Sequence, residues 1–66
     1  MASFNNIVCI KGIYDVQKVE VTSDGEIKLI ELFENICDGN LILDIICDEI
    51  GDFWVCSKFG FIKKIP

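Results

Sequence analysis

Glycines stand at 12, 25, 39, 51 and 60, each isolated and spread almost evenly through a chain of 66 residues. Their neighbours are turn formers, as in Ser23-Asp24-Gly25 and Asp38-Gly39-Asn40, where Asp bonds locally and Gly tolerates positive φ. Punctuation at this interval favours short strands. The runs between fit that reading. Ile7-Val8-Cys9-Ile10 is apolar, β-branched and closed by Lys11-Gly12. In Val16 to Thr22, Val19 and Val21 alternate with Glu20 and Thr22. Leu41 to Cys47, Phe53 to Cys56 and Phe61 to Ile65 are three further β-type runs, joined by tight turns at 48–52 and 58–60 into a meander. Simple alternation puts Leu41, Leu43, Ile45 and Cys47 on one face. Ile42 and Ile46 share the other with Asp44 and Asp48, the side nearer water.

The segment from 24 to 37 carries two patterns. As a helix, Leu29, Ile30, Leu32, Phe33, Ile36 and Cys37 fall on one side, opposite Lys28, Glu31, Glu34 and Asn35. Ser23 and Glu26 make a capping box, and Gly39 offers a C-terminal stop. As a strand, Asp24-Gly25 is a hairpin turn that sets Val19 and Val21 against Ile27 and Leu29. Its alternation is then incomplete, because Ile30 and Leu32 share a face with Lys28. Periodicity alone favours the helix.

Composition limits function. Six lysines, no Arg and no His stand against eleven acids, a net charge of −5. Nucleic-acid binding needs clustered positive charge and profits from forked Arg contacts, so no direct nucleic-acid partner is expected. Without His, the usual neutral-pH general base and commonest metal ligand are missing. Residues 26–52 hold eight acids against Lys28, whereas 53–66 hold three lysines and no acid. Glu31 with Glu34, and Asp48 with Glu49 and Asp52, are candidate acid–base clusters, and Asp44, Asp48, Glu49 and Asp52 a candidate Ca²⁺-binding group that lacks the helix–loop–helix calcium motif. They read more simply as a solvated face and an acidic turn. No glycine-rich phosphate loop is present. Cys9, Cys37, Cys47 and Cys56 lack the close pairs of a structural zinc site. Buried free thiols are the favoured reading, with disulfides or a metal as alternatives. No catalytic residue, metal ligand or cofactor is assigned. No apolar run reaches the length of a membrane span, and the first residues, Met1 to Asn6, do not resemble a secretion signal. A single cytoplasmic domain, 1–66, is expected.

Several segments resemble small Src-homology-3-like barrel proteins of Gram-positive bacteria and their phages. Ile7-Val8-Cys9-Ile10 is similar to the opening strand, and Thr22 to Glu31 to the second element. Asp38-Gly39-Asn40 through Asp52 is similar to a hairpin, and Phe59 to Ile65 to the close. The likeness spans roughly 6–65; Leu29 replaces a Tyr, and a Tyr-Pro near the end is absent. It implies an all-β, five-stranded barrel, with 26–34 as a strand. The alternative is α+β, with a helix at 24–37 on a three- to four-stranded antiparallel sheet. The family carries no general catalytic activity, and it suggests a phage or mobile-element protein that inhibits host machinery.

A five-stranded barrel of this length has room for roughly 15 interior side chains. The chain has 34 apolar residues, twelve of them Ile. The excess predicts a contiguous apolar surface patch, hence a homo-oligomer or a partner-bound protein. Candidate partner-binding residues are Trp54, Phe59, Ile42 and Ile46, with Glu31, Glu34, Asp44, Asp48 and Glu49 as an acidic rim that steers toward a basic protein surface. Trp54 is the aromatic expected at the surface, because its N–H needs a partner; Phe53 and Phe61 are expected in the core. The rival readings are a small-molecule or nucleotide binder with a pocket at a subunit interface, and, weakest, a metal protein or enzyme.

Overall fold

β-branched runs separated by turn residues satisfy their backbone groups most cheaply by pairing with the next run along the chain. The computed structural model, which describes residues 1–66, is built entirely this way. It contains β1 (Ala2–Phe4), β2 (Ile7–Lys11), β3 (Val16–Val21), β4 (Ile27–Phe33), β5 (Ile42–Cys47), β6 (Phe53–Ser57) and β7 (Ile62–Lys64), and no helix. Consecutive antiparallel pairing gives a four-stranded sheet, β1-β2-β3-β4, and a three-stranded sheet, β5-β6-β7. The all-β expectation holds. The strands number seven rather than five, and they lie in two sheets that do not close on each other.

The helix pattern over 24–37 is not used. Gly25 takes φ +87°, Thr22 N–H donates to the Glu26 carbonyl at 2.8 Å, and the Thr22 hydroxyl donates to the Asp24 carboxylate. This turn pairs Val21 with Ile27 and Val19 with Leu29, as the strand reading required. The register then shifts, and Lys18 pairs with Glu31. Ile30 is therefore the extra residue of a bulge. The bulge accounts for the flawed alternation: it moves Leu32 off the face of Lys28 and onto that of Leu29. Beyond β4 the chain turns at Asn35 and Asp38, whose φ values of 49° and 51° end any right-handed helix.

A second bulge reverses the expected faces of β5. Ile42 pairs with Ser57 and Asp44 with Cys56, leaving Leu43 unpaired. Ile42 and Ile45 consequently both point inward, whereas Leu43, Asp44 and Ile46 are exposed. Ile42 is thus a core residue rather than a member of a water-facing side.

The core comprises Cys9 and Val16 from the larger sheet; Ile42, Ile45, Phe53 and Val55 from the smaller; and Ile36, Cys37 and Ile65 from connecting segments. Phe53 is buried as expected. Phe61 is exposed, because it lies in the turn before β7. The sheets meet where β1 and β2 lie against β5. Gly51, at φ +93°, is held against the Phe4 ring, which lies 2.8 Å from where a Cβ would be. The smaller sheet leaves the β3–β4 half of the larger one uncovered, and the molecule measures 39 × 23 × 16 Å.

Candidate functional site

The two faces of β3 and β4 are chemically opposite. Residues paired across an antiparallel ladder share a face. Fully buried Cys9 and Val16 mark the inner face of the larger sheet. The register adds Lys18, Glu20, Lys28, Glu31 and Phe33 to it. Polar groups there do useful work: Lys18 Nζ reaches the Pro66 carbonyl at 3.4 Å, and Asn6 Nδ2 donates to Glu20 at 3.0 Å. The same register sends Val8, Ile10, Val19, Val21, Ile27, Leu29 and Leu32 to the outer face, with Ser3 and Gln17 as its polar members. No charged residue belongs to that face.

The outer face is ordered in rows. Ser3, Val8, Val19 and Leu29 lie side by side across the four strands, flanked by the rows Ile10–Gln17–Leu32 and Val21–Ile27. Val19, at the centre, is only 5% exposed, although it lies outside the core cluster; its neighbours on the same face cover it. Toward β4 the cover ends, and Leu29 and Ile27 are 60% and 70% exposed. Ile10, Gln17 and Leu32 line a shallow depression of about 340 Å³ with Lys11, Gly12 and Asp15. Apolar side chains collected on one uncovered sheet face mark an interaction surface.

The residues expected from sequence lie elsewhere. Trp54, Ile46 and Asp44 share the outward face of the smaller sheet, since Ile46 pairs with Trp54 and Asp44 with Cys56. Trp54 is half-buried and its Nε1 donates to Asp48 Oδ2 at 2.9 Å. Asp48 also accepts the N–H groups of Ile50 and Asp52, at 3.1 and 2.9 Å, so it fastens the β5–β6 turn. The Trp54 hydrogen bond, aided by these backbone donors, holds the Asp48 carboxyl below its ordinary value. Glu49 lies in the same turn, and Phe59 is exposed in the β6–β7 turn. Glu31 is on the inner face of β4 and Glu34 just beyond that strand, so neither joins the Trp54 group. Ile42, only 4% exposed, is unavailable to a partner. The sequence reading named none of the outer-face residues Val19, Val21, Ile27 and Leu29 as candidates, since 24–37 carried a competing helical pattern; the available signal was their mutual pairing across the hairpin.

All four cysteines are free; Cys9 and Cys37 are buried. Burial pushes the Cys9 thiol up against the opposing pull of Lys18, and burial raises Cys37 and Cys47 as well. Such thiols are weak nucleophiles at neutral pH. No group of three or more His, Cys, Asp or Glu side chains is placed to hold a metal ion. The largest depression, about 470 Å³, is lined by Ile36, Cys37, Asp38, Asn40, Phe61, Ile62 and Lys63. No helix is long and apolar enough to cross a membrane. Comparison with protein-family models, with curated proteins and with solved structures finds no match for this chain.

Proposed function

We propose that the protein is a non-enzymatic interaction module that binds protein through the outer face of the β1-β2-β3-β4 sheet. One observation carries the reading: the β3–β4 hairpin keeps its charged side chains on the inner face and collects its apolar ones on the outer face, where Ile27, Leu29 and Leu32 are exposed. A hairpin serving only its own chain gains by the opposite arrangement, because burial of apolar area is the main driving force of folding. The surface differs from the Trp54-centred patch with an acidic rim, whose indole N–H is already occupied by Asp48.

Two packed antiparallel sheets in hairpin order support relating the fold to the Src-homology-3-like barrels, although the edges remain open. That relation adds a phage or mobile-element origin and a host protein as the target, a step made by analogy. Capture from a bacterial extract on immobilised wild type, Leu29→Lys and Trp54→Ala tests the surface. A protein held by wild type and Trp54→Ala but lost by Leu29→Lys is expected. Equal recovery on wild type and Leu29→Lys overturns the reading.

The second reading, a small-molecule site, draws on the depression beside Phe61 and Lys63. A thermal shift with nucleotides or other anionic metabolites, removed by Lys63→Ala, would favour it over the apolar face.

A further inference from the structure

Resting on that reading, we infer that the occupant of the outer face is a second copy of this chain, packed face to face about a twofold axis. The first ground is charge. Each chain carries −5, so most surfaces of two copies repel each other. The outer face has no charged residue, so it can meet its own copy without opposing like charges. Lys11 and Asp15, which border it beside Ile10 and Leu32, are of opposite sign, so the face presents no net charge to a basic or acidic foreign surface. Charged residues are depleted from the cores of protein interfaces, and an isologous contact requires a patch compatible with itself.

The second ground is that the face is open while the neighbouring edge is defended. β4 ends the four-stranded sheet, and residues 27–33 make no backbone hydrogen bond outside the ladders. Such an edge invites another strand, yet β4 bears two protections, the bulge at Ile30 and the inner-face charges Lys28 and Glu31. No comparable device guards Leu29, Ile27 and Leu32. Association is therefore directed to the face, as in a sheet sandwich with layers about 10 Å apart.

The third ground is area. Four strands at about 4.8 Å spacing and about 20 Å long present at most about 400 Å² of projected surface per copy. The relief of the side chains brings the pair near the about 1,000 Å² where specific interfaces begin. The dimer is accordingly small and concentration-dependent, with Val19, already shielded by its neighbours, at its centre.

Sedimentation or light scattering over a micromolar to millimolar series, on the full chain, tests this. Wild type should rise from one to two times 7.5 kDa. Leu29→Lys and Ile27→Lys should remain at one chain with unchanged far-ultraviolet circular dichroism, since both positions are exposed in the monomer. Leu43→Lys, exposed on β5 of the smaller sheet, should dimerise like wild type. A wild type that stays monomeric throughout, or a Leu29→Lys variant that still dimerises, overturns the inference. If wild type is monomeric but extract capture depends on Leu29, the interaction reading survives and the self-association fails alone. If capture is also indifferent to Leu29, both fail.

Discussion

Asp48 shows how one carboxylate can organise a turn and an aromatic side chain together. It accepts from Ile50 N–H, Asp52 N–H and Trp54 Nε1, and its ordinary value of 3.8 is lowered as a result. A group whose folded-state value is depressed adds stability in full above its unfolded value, and that stability is lost as pH falls through the folded one. Asp48→Asn keeps an oxygen for the backbone donors but turns an amide toward the indole. The variant should melt below wild type at neutral pH, and the gap should close well below pH 3.8. Melts at both pH values, followed by Trp54 fluorescence, check this; a constant gap would contradict the assignment. Gly51 couples residue to architecture in another way. Gly25 and Gly51 both have positive φ, but only Gly51 faces a neighbour, the Phe4 ring. Gly25→Ala should cost about 1 kcal/mol from backbone strain alone. Gly51→Ala adds a collision at the junction of the two sheets and should cost more in denaturant titration.

At the level of elements, two single-residue bulges decide which side chains reach the core. Were Ile30 paired in a continuous ladder instead of bulged, Lys28 and Leu32 would share one face and charge would mix with apolar groups on both sides of the hairpin. Deletion of Ile30 leaves Glu31 directly after Leu29, so Lys28, Glu31 and Phe33 keep one face and Leu29 and Leu32 the other. That variant should stay folded and lose no more than about 1 kcal/mol, about 4–8 °C in a thermal melt. Ile30→Ala keeps the bulge and should also cost little, because its side chain is half exposed. A loss of several kcal/mol on deletion would mean that the bulge itself, and not only the order of the faces, holds the hairpin. The bulge at Leu43 acts alike in β5: it turns Ile42 and Ile45 to the same side, three residues apart, where strict alternation would separate them.

For the whole molecule, the two sheets share one small core and divide the remaining apolar surface unequally. The smaller sheet's outward face is mixed, with Asp44, Cys56 and Lys64 beside Ile46, Trp54 and Ile62. Lys64 is paired with Asp52 at 3.3 Å. The larger sheet's outward face is apolar and uncharged. Two chains of −5 repel one another even when the contact itself is neutral. Added salt, which shortens the Debye length from about 10 Å at 0.1 M to about 3 Å at 1 M, should tighten the dimer. Sedimentation at low and high ionic strength should show the monomer–dimer midpoint moving to lower protein concentration. A shift the other way would point to an interface held by ion pairs.

The sequence alone determined that the chain is β-structured, where its turns fall, and that its apolar residues exceed what a small interior can hold. These follow from local chemistry: β-branched runs, Asp-Gly turns and composition act within a few residues of themselves. The strand reading of 26–34, one of two the sequence offered, also paired Val19 and Val21 with Leu29 and Ile27, because a tight turn fixes the register of its hairpin; helical periodicity pointed the other way, and the structure chose between them. Tertiary structure decided everything that depends on which side of a sheet faces the core. A bulge inserts one residue without any distinctive side chain, yet it reverses every face beyond it; this sent Ile42 inward and brought Leu32 to join Leu29. It also left one uncharged apolar face at the back of the larger sheet, whereas the exposed Ile46 and Ile62 beside Trp54 are interspersed with Asp44 and Lys64, since only the packing of one sheet on the other determines which face is left bare.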